Sequence, residues 1–179
     1  RKPESTRLNK QDINRATVNA IVGAANELEV RGMELLQDVA ANPQINSRKK
    51  YAQELRTVID SIDPKATIPT ETGSRPLSYE ERRSINNRIK GRLRARAEQL
   101  VEDAFNANED FRFQVGVGEA SDEISQSLQA VIKADTMRTL GNVNEATRML
   151  QMYPEDDIKR AMDLLNMKGM AGLLTKNPD

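Results

Sequence analysis

Histidine, cysteine and tryptophan are absent from this 179-residue chain, and aromatic residues make up only 3% of it. Without histidine the commonest general base is missing, and without cysteine there is no thiol nucleophile, no disulfide framework and no thiolate metal ligand. No apolar run approaches the length of a transmembrane helix or of the hydrophobic segment of a secretory signal. With so few aromatic rings, a core must be filled by Leu, Ile, Val, Met and Ala, which suit helix packing. A strong charge bias is missing too: 27 basic residues balance 27 acidic ones, and the mean hydropathy of −0.67 is that of a water-exposed chain.

What remains is a sequence of helical periods. Leu8 to Ile13 opens a first helix with Asn9 as cap and Asp12 in its first turn, and Asn42-Pro43 closes it. Between these limits Val18, Ile21, Ala25, Leu28, Gly32, Leu35 and Val39 follow a strict 3-4 heptad spacing. This seam is built to lie against another helix, either within a bundle or in a coiled coil with a second copy. Gly23 and Gly32 each cost about 1 kcal/mol of helix propensity relative to Ala, so they point to close packing. On the self-association reading, Leu28→Asp dissociates the assembly and leaves helix content intact.

A second helix is predicted from Ser47 to Ser61, with Tyr51, Leu55, Val58 and Ile62 on one face. Residues 63–77 hold Pro64, Pro69, Gly73 and Pro76 and read as a linker or long loop. They divide an N-terminal helical hairpin (1–62) from a C-terminal helical lobe (78–179). Ser78 and Glu81 form a capping box that launches a third helix through Phe105. Around its apolar stripe stand Arg82, Arg83, Arg88, Lys90, Arg92, Arg94 and Arg96, with no acidic residue among positions 82 to 96. At about 100° per residue, Arg83, Lys90 and Arg94 fall on one flank and Arg88, Arg92 and Arg96 on the other.

Residues 111–117 alternate apolar and polar as a strand does, with Phe111 and Phe113 available to plug a core. Three shorter helices follow: one capped by Ser121 and ended by Gly141, one started by an Asn142 to Glu145 capping box, and one behind Pro154 with Glu155, Asp156 and Asp157 in its first turn. Several methionines, among them Met149, Met152 and Met162, give this part an adaptable apolar surface. The segment Gly141 to Ala146 resembles the turn of a tetratricopeptide repeat over six residues. No second copy occurs at that period, and the segment is read as a helix start.

The expected fold is therefore all-α, a bundle of about six helices with one extended segment near 111–117. No catalytic, cofactor-binding or metal-ligating residue emerges. The Glu155 to Asp157 run lacks the alternating spacing of a calcium loop, and Gly116-Val117-Gly118 lacks the third glycine of a dinucleotide turn. The expected function is non-enzymatic: a structural or assembly subunit that forms a homo-oligomer or part of a larger complex such as a virion through the heptad seam, located in the cytoplasm or in such an assembly. The seven bases would dock acidic protein surface, since residues 108–179 carry twelve acidic and eight basic side chains. The alternative is a nucleic-acid-binding packaging or replication factor that sets the same bases on phosphates. Arg1 in place of Met reads as a processed end or the cut edge of a longer polypeptide, and Asp179, with no helical stop before it, is not read as a natural end.

Overall fold

The computed structural model describes residues 9–43, 47–107 and 122–167. Helices account for 81% of them. In chain order the elements are α1 (Lys10–Ala41), α2 (Arg48–Ser61), β1 (Thr67–Pro69), β2 (Ser74–Pro76), α3 (Tyr79–Ala107), α4 (Asp122–Thr139), α5 (Val143–Gln151) and α6 (Glu155–Met167). The all-α bundle of six helices is thus present, and the extended segment expected at 111–117 lies outside the described residues.

The helix starts follow the side chains that satisfy their first amides. Asp12 N–H donates to Asn9 Oδ1 at 2.8 Å and Lys50 N–H to Ser47 Oγ at 3.1 Å. At α3 the capping box closes in both directions: Glu81 N–H donates to Ser78 Oγ at 3.2 Å, and Ser78 N–H to Glu81 Oε1 at 2.8 Å. Each such cap is worth about 1 kcal/mol. α4 ends in a Schellman turn, with Asn142 N–H donating to Met137 O at 2.8 Å and Gly141 N–H to Arg138 O at 3.0 Å. Gly141 sits there at φ 102°, a conformation that a Cβ makes costly. The capping box expected at Asn142 does not form. The Asn142 side chain makes no cap bond to α5; its Nδ2 donates instead to Glu98 Oε2 at 3.3 Å, and Glu145 pairs with Arg148.

The chain groups into two compact units: Arg1–Asp38 with Val58–Leu93, and Val39–Thr57 with Arg94–Asp179. The divisions fall inside helices, so α2 and α3 each contribute to both, whereas residues 63–77 belong wholly to the first. In that unit the proline-rich segment forms a small antiparallel hairpin, with Thr67 opposite Pro76, Ile68 opposite Arg75 and Pro69 opposite Ser74. Two strands alone leave every N–H-less proline position on an edge, where it is tolerated. Ile68 of β1 and Leu77 after β2 are buried, as are Ile59 of α2, Ile62 just after it, Ile85, Ile89 and Leu93 of α3, and Ala24, Ala25, Leu28 and Leu36 of α1.

Gly32 fixes how closely α1 meets its neighbours in this unit. A Cβ built there would lie 2.4 and 2.8 Å from the two Leu93 methyls and 3.1 Å from Ile62 Cδ1. Gly23, by contrast, has nothing within 4 Å of such a Cβ, so close packing does not explain it.

In the second unit α4 and α6 share a core of Ile124, Leu128, Val131, Ile132, Ile158, Ala161 and Leu165, with Leu150 of α5 and Tyr153 packed against it. Arg48 braces α2 against α3 by stacking 4.8 Å from the Phe105 ring centre while Nη1 donates to Glu102 Oε1 at 2.6 Å. Both partners are substantially shielded, which makes this pair stronger than a typical surface ion pair.

The two α1 glycines give opposite expectations. Gly23→Ala recovers helix propensity without a clash and should raise stability by about 0.5–1 kcal/mol. Gly32→Ala gains the same propensity but overpacks a fully buried Leu93, a cost of about 1–3 kcal/mol, so it should lower stability by about 1 kcal/mol. Denaturant midpoints of the two variants check both signs.

Candidate functional site

The first helix divides the heptad seam into covered and uncovered parts. Ala25, Leu28 and Gly32 are buried inside the first unit, and Ile21, Leu35 and Val39 are half-buried. Val18, at the amino-terminal end, is 58% exposed. From Lys10 to Gly23 no side chain is fully buried, Ile13, Ala16, Thr17, Ala20 and Ile21 are half-buried, and Val22 joins Val18 on the exposed surface, as does Val30 further along. The seam is therefore a single line in sequence that does two things in the fold. Its middle holds α1 to its own chain, and its start faces water.

The basic residues of α3 divide in a similar way. Arg82 reaches Asp63 at 3.9 Å, and the same carboxylate accepts from Asn86 Nδ2 at 3.1 Å. Arg92 donates to Glu29 of α1 at 3.0 Å. Arg94 is turned into the second unit: its Nε is buried, and a Cβ on Gly141 would lie 3.3 Å from it. Arg56 approaches the same turn, its Nη1 donating to Thr139 O at 3.2 Å, which places positive charge at the carboxyl end of α4 where the helix dipole favours it. Arg83, Arg88, Lys90 and Arg96 have no carboxylate partner among the described residues, and of these Arg83, Arg88 and Arg96 are exposed.

Arg83 and Arg88 border an open depression of about 580 Å³, with Glu80, Ser84 and Asn87 as its other lining residues. These five lie at positions i, i+3, i+4, i+7 and i+8, on the face of α3 opposite Ile85 and Ile89. Tyr79, 74% exposed, stands one turn before Arg83. Sequence periodicity found the seven bases but could not sort them by partner, because the partners come from Asp63 and Glu29, far away in the chain.

This face is held in place by a node at its amino-terminal end. Arg75 of β2 grips Glu81 with both guanidinium nitrogens, at 2.8 and 3.1 Å. These bonds, helped by the Ser78 amide, hold the Glu81 carboxyl down at about 2, well below its ordinary 4.5. On the second half of α3, burial pushes the Glu98 carboxyl above the usual carboxylate range, with the Asn142 amide pulling the other way. Elsewhere, Glu155, Asp156 and Asp157 occupy the first turn of α6, and among the described residues no three acidic groups converge to hold a metal ion. Of the methionine surface, Met152 is 81% exposed, while Met149 and Met162 are half-buried.

No protein-family model, curated protein or solved structure matches the chain. No helix among the described residues is long and apolar enough to cross a membrane.

The depressed carboxyl sets an acid limit. A group whose folded value lies below its unfolded value stabilises the fold above the unfolded value and loses that contribution as pH falls toward the folded one. The Glu81 contribution should therefore decline between about pH 4.5 and about pH 2. Glu81→Gln keeps a capping oxygen but removes the charge paired with Arg75, so it should lower stability at neutral pH by up to about 1 kcal/mol, the scale of a partly exposed ion pair, and should weaken the further decline in acid. Denaturant midpoints of both proteins across this range test the assignment.

Proposed function

We propose that this chain is a non-enzymatic structural subunit that associates with further copies of itself through the amino-terminal half of α1, as part of an intracellular or virion assembly. One observation carries the reading: Val18 and Val22 stand 58% and 49% exposed one turn apart on α1, outside the half-buried stripe of Ile13, Ala16, Thr17, Ala20 and Ile21 that leads into the buried Ala24 and Leu28. Two branched apolar side chains one turn apart on an exposed helix face gain free energy when an apolar partner packs over them. A second copy of α1 laid against Val18, Ile21 and Val22 supplies that packing. A two-fold arrangement would set the same patch on itself, so a single surface suffices. The lack of His and Cys supports a role in contact rather than catalysis.

The fold changes which residue tests this. Leu28 is only 2% exposed, so Leu28→Asp buries a charge inside the subunit and unfolds it whether or not copies associate. The informative variant is Val18→Asp with Val22→Asp, both on exposed positions. Light scattering coupled to size exclusion should give a discrete multiple of 20.1 kDa for the natural chain and a monomer for the double variant, with equal helix content by circular dichroism. A monomeric natural chain, or a double variant of unchanged mass, overturns the proposal.

A further inference from the structure

We propose that Asn142 and Glu98 form a proton-operated latch between α3 and the joint of α4 and α5, with one hydrogen bond while Glu98 is ionised and two once it takes up a proton. The backbone of Asn142 is fixed on both sides. Its N–H donates to Met137 O at 2.8 Å and closes the turn of α4, and its carbonyl accepts the first helical bond of α5, from Ala146 N–H at 3.0 Å. The side chain reaches a third helix, Nδ2 donating to Glu98 Oε2 at 3.3 Å. One residue thus ties together α3, α4 and α5, all within the second unit.

With Glu98 ionised, only half of this pair's chemistry is used. A carboxylate can only accept, whereas an asparagine amide carries both donors and an acceptor. Asn142 Oδ1 makes no cap bond to α5, and a carboxylate has no hydrogen to give it. A protonated Glu98 supplies that hydrogen: its O–H donates to Oδ1 while its other oxygen keeps the bond from Nδ2. Acid and amide then match donor to acceptor at both positions. The present 3.3 Å is at the long end for such a bond, which leaves room for the pair to close up.

The surroundings favour the proton. Glu98 is half-buried, and loss of water is the largest influence on its carboxyl, pushing it above the ordinary carboxylate range. Glu102 of α3 and Glu145 of α5 push the same way by like charge, while the Asn142 amide and Lys133 of α4 oppose them. Arg48 pairs with Glu102 and Arg148 with Glu145. Arg94, one turn before Glu98, lies with its guanidinium at Gly141, and Arg56 of α2 donates to Thr139 O. A carboxyl whose folded value lies above its unfolded value weakens the fold while ionised, and that penalty disappears as pH falls through the folded value toward the unfolded one. The latch therefore tightens between neutral pH and about pH 4.5, before the Glu81 clasp begins to weaken.

Hydrogen exchange of the α5 amides, read by NMR on the full chain and expressed as protection over intrinsic exchange, tests the latch from neutral pH down to about pH 4.5. Protection in the natural chain should rise by about fivefold, the worth of one net hydrogen bond. Glu98→Gln carries a donor and an acceptor at every pH, so its α5 amides should show the acid-state protection throughout. Glu98→Met, similar in length but without a comparable hydrogen-bonding group, separates the latch from burial. Relief of a buried charge alone makes the methionine variant at least as protected as the glutamine one, whereas the latch leaves it about fivefold less protected. Circular dichroism verifies that both variants keep their helix content. Protection that stays flat in the natural chain overturns the proposal, as does a pH-dependent rise that survives in Glu98→Gln, or a Glu98→Met variant that matches Glu98→Gln.

Discussion

The absence of a side chain at Gly32 sets the geometry of the first unit. Two methyls of a fully buried leucine and one of an isoleucine occupy the space a Cβ would take, so α1 approaches α3 and the end of α2 more closely than any other residue there would permit. The ion pair between Arg92 and Glu29 spans the same two helices at 3.0 Å. Exposed pairs of this kind contribute little by themselves. Here the pair follows from the close approach more than it causes it, and the buried aliphatic residues around Gly32 supply the driving force.

That approach also explains why a helix with so many arginines tolerates them. The apolar stripe of α3 changes direction along its length, from Ile85, Ile89 and Leu93 in the first unit to Ala97, Val101 and Phe105 in the second. A basic side chain that flanks the core in one half can therefore be turned inward in the other. Arg94, just past the division, meets the end of α4, whereas Arg83 and Arg88, in the first half, remain on the outer face. One run of like charge thus has three fates: ion pairing within the first unit, packing against the Gly141 turn in the second, and exposure to solvent.

Much of this fold was legible in the sequence, because helix ends are written in local chemistry. Asn9, Ser47, Ser78 with Glu81, and Pro154 each stand at or one residue before a helix start, and Gly141 closes α4. The heptad reading erred by a small and instructive amount. It selected Leu35, but Leu36 is the fully buried residue. A straight helix with 3.6 residues per turn drifts about 20° per heptad away from a 3.5 repeat, and by the last turns of α1 that drift passes the core from one leucine to the next. The exposure of Val18 could not be read from the pattern, since it depends on where neighbouring elements stop. The hairpin at 67–76 was hidden by its prolines and by its short strands. The Asn142 cap is absent: its side-chain oxygen, which would accept from an amide of α5, makes no such bond, and its Nδ2 donates instead to Glu98, brought near by the fold. Of the candidate surfaces, the sequence supplied the residues, and long-range pairing decided which of them are free.

The clasp between Arg75 and Glu81 has a consequence for motion. It ties a strand of the hairpin to the first turn of α3, and Ser78 closes the loop between them. A hairpin of two three-residue strands is too short to persist alone, and a helix start without its cap frays. Joined through one carboxylate, they lose that independence. The hairpin and the first turn of α3 then open and close as one cooperative element, a local folding unit whose amide protons exchange with solvent together and more slowly than the length of either piece would suggest.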